Sequence, residues 1–344
     1  MSHKLSIDTK TGKAEMFYVD EEPWHKLGER LSGPPTSAEA IKQAHLDWEV
    51  AKVPLAMPYG KTHRELQGHY AVVRLDRWNR DELLTPGGSV LGVVKEYYQP
   101  LQNSEAFEFF DPLIKAGSVT YETAGALGDG ERVWVLAHLP EDMSVVKDDI
   151  VRRYLLLSNS HDGNSSVQVK LTPIRVVCNN TLTMALRDGP ALYIAHRQGL
   201  RDQLESAREL IAAVTRRYDG IADSFRRFAE IGLDERRLGR YLSTVFPDPK
   251  RGVTPKDRYR QLKQKVLENR LWSKRFFEAG KGTDIPGVSG TLWAAYNGVA
   301  EFVDHRDSGR PESQRLDSIW FGDGYCAKAR AFRVAEQLAK SWRN

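Results

Sequence analysis

The stretch Tyr154–Leu182, YLLLSNSHDGNSSVQVKLTPIRVVCNNTL, sets a cluster of Asn, Ser, His and Asp between two strongly apolar runs. Asp162-Gly163 is a hairpin signal, because both residues can take positive φ in a two-residue type I′ turn. The runs on either side, RRYLLL from Arg152 and SVQVKLTPIRVV from Ser166, then read as paired strands. On this reading Asn179 lies at the far end of the second strand from Asp162, so the polar residues form two sites.

The segments before this hairpin carry the same strand character. WEVAKVPLAM from Trp48, YAVVRL from Tyr70 and SVLGVVKEYY from Ser89 are rich in β-branched and aromatic residues and bounded by Gly and Pro. QNSEAFEFFDPLIKAG predicts a helix capped by Asn103 or Ser104 and stopped by Gly117. VTYETAGAL and RVWVLAHLP flank GDGE, a second hairpin connection. The fold class expected is α+β: a mostly antiparallel sheet domain over 31–186, preceded by a segment 1–30 that docks on the core, and followed by a helical half over 187–344. Within that half, Leu204, Ala207, Ile211, Val214, Tyr218, Ile221, Phe225 and Phe228 alternate spacings of three and four, the seam of a heptad-like helix over 203–231. Such a seam serves either an intramolecular bundle or a homo-oligomer. TPKDRYRQLKQKVLENRLW, TLWAAYNGVAEFVDH and CAKARAFRVAEQLAKSW predict three further helices.

At 344 residues, with 41% hydrophobic and 28% charged residues, the chain has the composition of a folded protein and not of a disordered one. It contains no run approaching the ~18–20 apolar residues of a membrane span. Its first residues lack the apolar core of a secretory signal, and Cys178 and Cys326 make no disulfide framework. A cytoplasmic protein without membrane contact is expected. Residues 1–150 hold 16 Lys+Arg against 24 Asp+Glu, a net of −8, whereas 187–280 hold 21 against 13, a net of +8. A polyanion would meet its complement only after residue 151.

The polar hairpin offers Asn159, His161 and Asp162 as candidate catalytic or ligand-binding groups, His161 as acid/base oriented by Asp162 or Asn159. Ser160, His161 and Asp162 are adjacent on a strand and point alternately to opposite faces, which disfavours a hydrolytic triad. The nine histidines show no metal-ligand spacing, and no phosphate-binding glycine loop is present, so no metal or cofactor is expected. Cys178 reads as a small buried hydrophobe. Arg152, Lys170 and Arg175, with Tyr154 and Trp134 as stacking platforms, supply the charge and aromatic surface that hold a single nucleic-acid strand. Near the start, EEPWHKLGERL places Trp24, His25 and Gly28 in a tail segment.

Four blocks, PWHKLG, LGVVKEYYQPLQNSEAFEFFDPL, LLLSNSHDGNSSVQVKLTPIRVVCNNTL and GTLWAAYNGVAEFVDH, together resemble the phage- and plasmid-related family called domain of unknown function 932. The resemblance singles out Trp24, His25, Gly28, Asn103, Asn159, His161, Asp162, Gly163, Arg175, Cys178, Asn179 and Thr181, without assigning a role to any. It implies work on a mobile element. The leading expectation is therefore a nucleic-acid-binding protein without its own catalysis, binding or annealing single-stranded DNA as a homo-oligomer built through 203–231. Two alternatives stand beside it: an enzyme or small-ligand or metal binder centred on His161-Asp162, and a structural or defence-inhibitor protein.

Overall fold

The computed structural model describes residues 5–19, 27–78, 89–175, 180–181, 191–206, 217–250, 255–306, 318–319 and 321–342. It is an α+β protein, antiparallel-rich in the sheet region and helical afterwards.

The strands are β1 (Met16–Val19), β2 (Glu29–Leu31), β3 (Val50–Tyr59), β4 (Thr62–Arg74), β5 (Val90–Lys95), β6 (Thr120–Leu127), β7 (Arg132–Ser144), β8 (Ile150–Ser160), β9 (Val167–Arg175), β10 (Asn180–Thr181) and β11 (Ala191–Ile194). One sheet runs in the order β10-β9-β8-β7-β6-β1-β2, with β11 paired to β9; β3-β4-β5 form a second. Among the registers observed, β1 and β2 alone run parallel. The N-terminal segment does more than dock: β1 is an internal strand, with all four residues buried.

The early helices are α1 (Ser37–Gln43), α2 (Asn103–Glu108) and α3 (Asp111–Lys115). α1 starts from a capping box in which Thr36 and Glu39 satisfy each other's backbone N–H groups. The single helix expected over 102–117 is two short ones. Gln102 and Glu105 form the capping box of α2, and Asn103 and Ser104, the two caps expected, are already inside the helix, Asn103 buried. Gly117 closes the segment at φ +68°, a conformation open to glycine.

The later helices are α4 (Arg217–Ala229), α5 (Glu235–Val245), α6 (Lys256–Ala279), α7 (Leu292–Glu301) and α8 (Asp323–Trp342). A π-helical turn, Phe302–Arg306, follows α7 directly. Every residue of α7 is buried, as its apolar composition requires. Ile221, Phe225 and Phe228 of α4 are buried too, and Phe225 packs against Trp293, Tyr296 and Phe332 at centroid distances of 4.7, 6.0 and 6.0 Å. The heptad seam is thus spent, over its described C-terminal part, on the protein's own aromatic core, which removes the ground for an oligomer contact there. The stretch 207–216 of the expected helix lies outside the described residues.

Two compact units emerge. The first comprises Met1–Pro140, Tyr154–Leu171 and Ala191–Ala212; the second comprises Glu141–Arg153, Thr172–Pro190 and Ala213–Asn344. A single cut near residue 186 does not produce them, because the long strands β7, β8 and β9 each cross a unit boundary. No helix among the described residues is long and apolar enough to cross a membrane.

Candidate functional site

The end of β8 and the loop after it bring several candidate residues together. His161 is fully buried, and its Nε2–H donates to Asn103 Oδ1 at 3.0 Å. Asn103 in turn donates from Nδ2 to the carbonyls of Leu46 at 3.0 Å and Trp48 at 3.3 Å. Asn159 donates to Leu101 O at 2.9 Å, and His161 N–H donates to Glu131 O at 2.7 Å. His161 and Asn159 therefore tie the strand end to α2 and to the chain entering β3. Trp48 tilts over the imidazole at 5.5 Å, and the Arg74 guanidinium lies 4.0 Å from the Trp48 ring. Burial first, then the neighbouring His196 and Arg74, pull the His161 pKa down to about 3, against a smaller upward pull from Asp162. At neutral pH the ring is an uncharged hydrogen-bonding group, buried from solvent, that pins the strand end to Asn103.

Asp162 serves the turn. Its carboxylate accepts from Ser160 Oγ, from Asn164 N at 2.9 Å and from Asn164 Nδ2 at 2.8 Å. Gly163 takes φ +75°, but Asp162 is not among the residues at positive φ, so the connection is a longer side-chain-bonded loop and not the expected type I′ turn. The loop lies hard against β5: a Cβ on Gly92 would come within 2.5 Å of the Asp162 Cα and carbonyl oxygen. Gly92→Ala is expected to cost about 1–3 kcal/mol, since backbone must give way, a change that equilibrium guanidinium unfolding would register.

The residues expected to hold a nucleic acid are largely misplaced for it. Trp134 is 1% exposed, Tyr154 3% and Lys170 4%, all inside strands covered on both faces, so neither ring can stack on a base and Lys170 cannot reach a phosphate. Arg152 is half-buried, with its Nε 4.0 Å from Asp142. Arg175 pairs with Asn180 and Ile174 with Thr181 through the β9–β10 ladder. Gly28 sits at φ +108°, where a Cβ would press on Met16 O at 3.1 Å. Trp24, His25, Cys178 and Asn179 lie outside the described residues. Among the described residues no group of three or more His, Cys, Asp or Glu could hold a metal ion.

Two charged surfaces stand out among the described residues. Arg153, Arg226, Glu141, Asp142 and Asp223 line a cleft of about 300 Å³ in the second unit. Its cations are already matched, Arg226 to Asp223 at 3.2 Å and Arg153 to Glu141 at 3.4 Å. Helix α6 is different. Of its 24 residues only Ser273 is buried, and it carries eight Lys or Arg against three Asp or Glu. Arg270 and Lys274, toward its end, pair with Asp248 at 3.0 Å and Glu235 at 2.8 Å. Lys256, Arg258, Arg260, Lys263 and Lys265, in its first ten residues, meet no carboxylate among the described residues. The period of four and three between Lys256, Arg260 and Lys263 sets like charges side by side, and the first turn already carries the positive end of the helix dipole. Helix stability alone disfavours this arrangement.

Comparison with curated proteins and with solved structures gives no match. The family model described as Domain of unknown function (DUF932) matches residues 90–320, a span that takes in β5, the buried Asn103–His161 cluster and the whole of α6. By that match over two-thirds of its length, the chain belongs to the domain of unknown function 932 family.

Proposed function

We propose that this is a single-strand-binding protein for nucleic acid that acts without catalysis, with its phosphate contacts made by the first half of α6. The observation that carries the reading is the run of five cations unmatched among the described residues on the exposed first half of this helix, with Lys256, Arg260 and Lys263 along one face and Arg258 and Lys265 on the other. A polyanion relieves the mutual repulsion of these side chains and releases its own counterions, which is the driving force of sequence-independent binding. The basic recipe read from the sequence is kept, and its place moves from β8 and β9 to α6. The family resemblance suggests mobile-element replication or recombination as the setting, with strand annealing as the activity to assay once binding is established.

The test is fluorescence anisotropy of a labelled oligo-dT against the full chain from low to physiological salt, with and without the five cations changed to Gln. The parent is expected to bind with steep salt dependence. The variant is expected to bind at least ~100-fold more weakly at low salt, with the log–log slope shallower by up to ~3.5, since each phosphate neutralised on a single strand contributes ~0.7. Its thermal stability should hold or rise, because like-charge repulsion is removed. Absence of parent binding at low salt overturns the proposal.

A further inference from the structure

β3 and β4 continue past the strand that supports them. β5 pairs with β4 only over His69–Val73, whereas β3 and β4 stay paired from Ala56–Glu65 out to Tyr59–Thr62. Every residue from Ala56 to Gln67 is exposed, so this part of the hairpin is a two-stranded ribbon with neither face covered. Isolated two-stranded ribbons are at best marginal in water, and one that leaves Tyr59 at 66% and Met57 at 48% exposure has apolar surface left to cover.

The register sorts its side chains. Met57 lies opposite Arg64 and Tyr59 opposite Thr62, so these four share a face with Leu66. Pro58, His63, Ala56 and Glu65 occupy the other. Lys61 stands in the turn beside Gly60, which takes φ +61°. Between Val50 and Val73 the chain carries Lys52, Lys61 and Arg64 against Glu65 as its one acid, a cationic island within a half whose net charge is −8. Pro54 and Pro58, which lack an N–H, interrupt the outer edge of β3 and discourage a further strand from adding there.

We infer that the tip of this ribbon is a second contact for single-stranded nucleic acid, in which Tyr59 stacks on a base while Lys61 and Arg64 hold the adjoining phosphates. The inference rests on the function proposed above and extends it to a different element, one that precedes the family-matched span 90–320. Charge complementarity selects the occupant. The acidic half of a second copy would also suit Lys61 and Arg64, but the rings it exposes, such as Tyr97, stand singly, whereas a nucleic-acid strand sets a base beside every phosphate. Tyr59 thereby takes the stacking role for which the buried Trp134 and Tyr154 are unsuited.

The experiment compares three full-length proteins in the same oligo-dT anisotropy titration: Tyr59→Ala, the double variant Lys61→Ala/Arg64→Ala, and the five-site α6 variant. All replaced ribbon side chains are exposed, so melting curves should match the parent. Tyr59→Ala is expected to weaken binding about 10-fold with an unchanged salt slope, the mark of missing base stacking. The double variant is expected to lower the slope by about 1.4, the value for two phosphates on a single strand. Parent-like binding by both ribbon variants alongside weakened binding by the α6 variant overturns this inference while leaving the proposed function standing. Parent-like binding by the ribbon variants with a shifted size-exclusion mass makes the tip a contact between copies and overturns it as well. A parent that fails to bind overturns both readings.

Discussion

Replacing Arg74 by Gln is expected to destabilise the protein by about 3 kcal/mol, read as a lower midpoint in guanidinium unfolding, because it strips the buried Glu15 carboxylate of its bidentate cation and leaves only Arg77, at 3.4 Å, to face it. Arg74 and Glu15 are each about 1% exposed and form a bidentate pair at 2.8 and 3.0 Å. The same guanidinium donates to Asp76 at 2.8 and 3.1 Å and to the Asp129 carbonyl at 2.8 Å. All five of its N–H groups are directed at oxygen, a fork that glutamine cannot reproduce. The destabilisation should shrink when Glu15 is made Gln as well, since the stranded charge then disappears. A double variant as unstable as Arg74→Gln alone would show that packing against Trp48, and not charge, is what Arg74 supplies.

Acid should unfold the protein through its buried imidazole. His161 has its pKa lowered to about 3 in the folded state, against 6.5 when unfolded. Above pH 6.5 both states are neutral and the full stability is present. Below it, the unfolded chain takes up a proton that the folded one refuses, so stability falls by up to ~1.4 kcal/mol per pH unit and by about 4–5 kcal/mol near pH 3. His196, also lowered by burial and stacked on Tyr98 at 4.6 Å, adds to the same trend. Unfolding free energies measured from pH 8 to pH 4 should show a shallower slope in His161→Gln, which keeps a donor toward Asn103 but has nothing to titrate. Parallel slopes in the two proteins would assign the acid sensitivity elsewhere.

The outline of the fold is legible in the sequence where burial and pattern agree. Tyr70 onward and Ser89 onward are strands that bury Ala71–Arg74 and Leu91 and Val94, Trp48 onward leads into a strand anchored at the buried Val50, and Ile221, Phe225 and Phe228 mark a helix packed on one side. The ribbon is hidden for the complementary reason. THRELQ at the start of β4 is exposed on both faces, so no alternation exists to be read. Burial on both faces misleads in the other direction. The runs VWVLA in β7 and YLLL in β8 are continuously apolar, a sign of strands covered on both sides that argues Trp134 and Tyr154 into the core. Asn103 and His161 stand out singly in the sequence, but 58 residues separate them, and only the folded chain shows that they bond each other.

The interleaving of the two units has a consequence for synthesis. Val167–Lys170 of β9 finds its antiparallel partner in Ala191–Ile194, beyond the place where composition suggests a domain should end. The first unit draws on Ala191–Ala212, and the second on Glu141–Arg153. A ribosome must therefore translate well past the midpoint of the message before the earlier unit is complete, while Glu141–Arg153, translated early, waits for helices not yet made. A nascent chain in that interval holds open strand edges, and its safe passage depends on the remaining residues emerging before those edges find a neighbour.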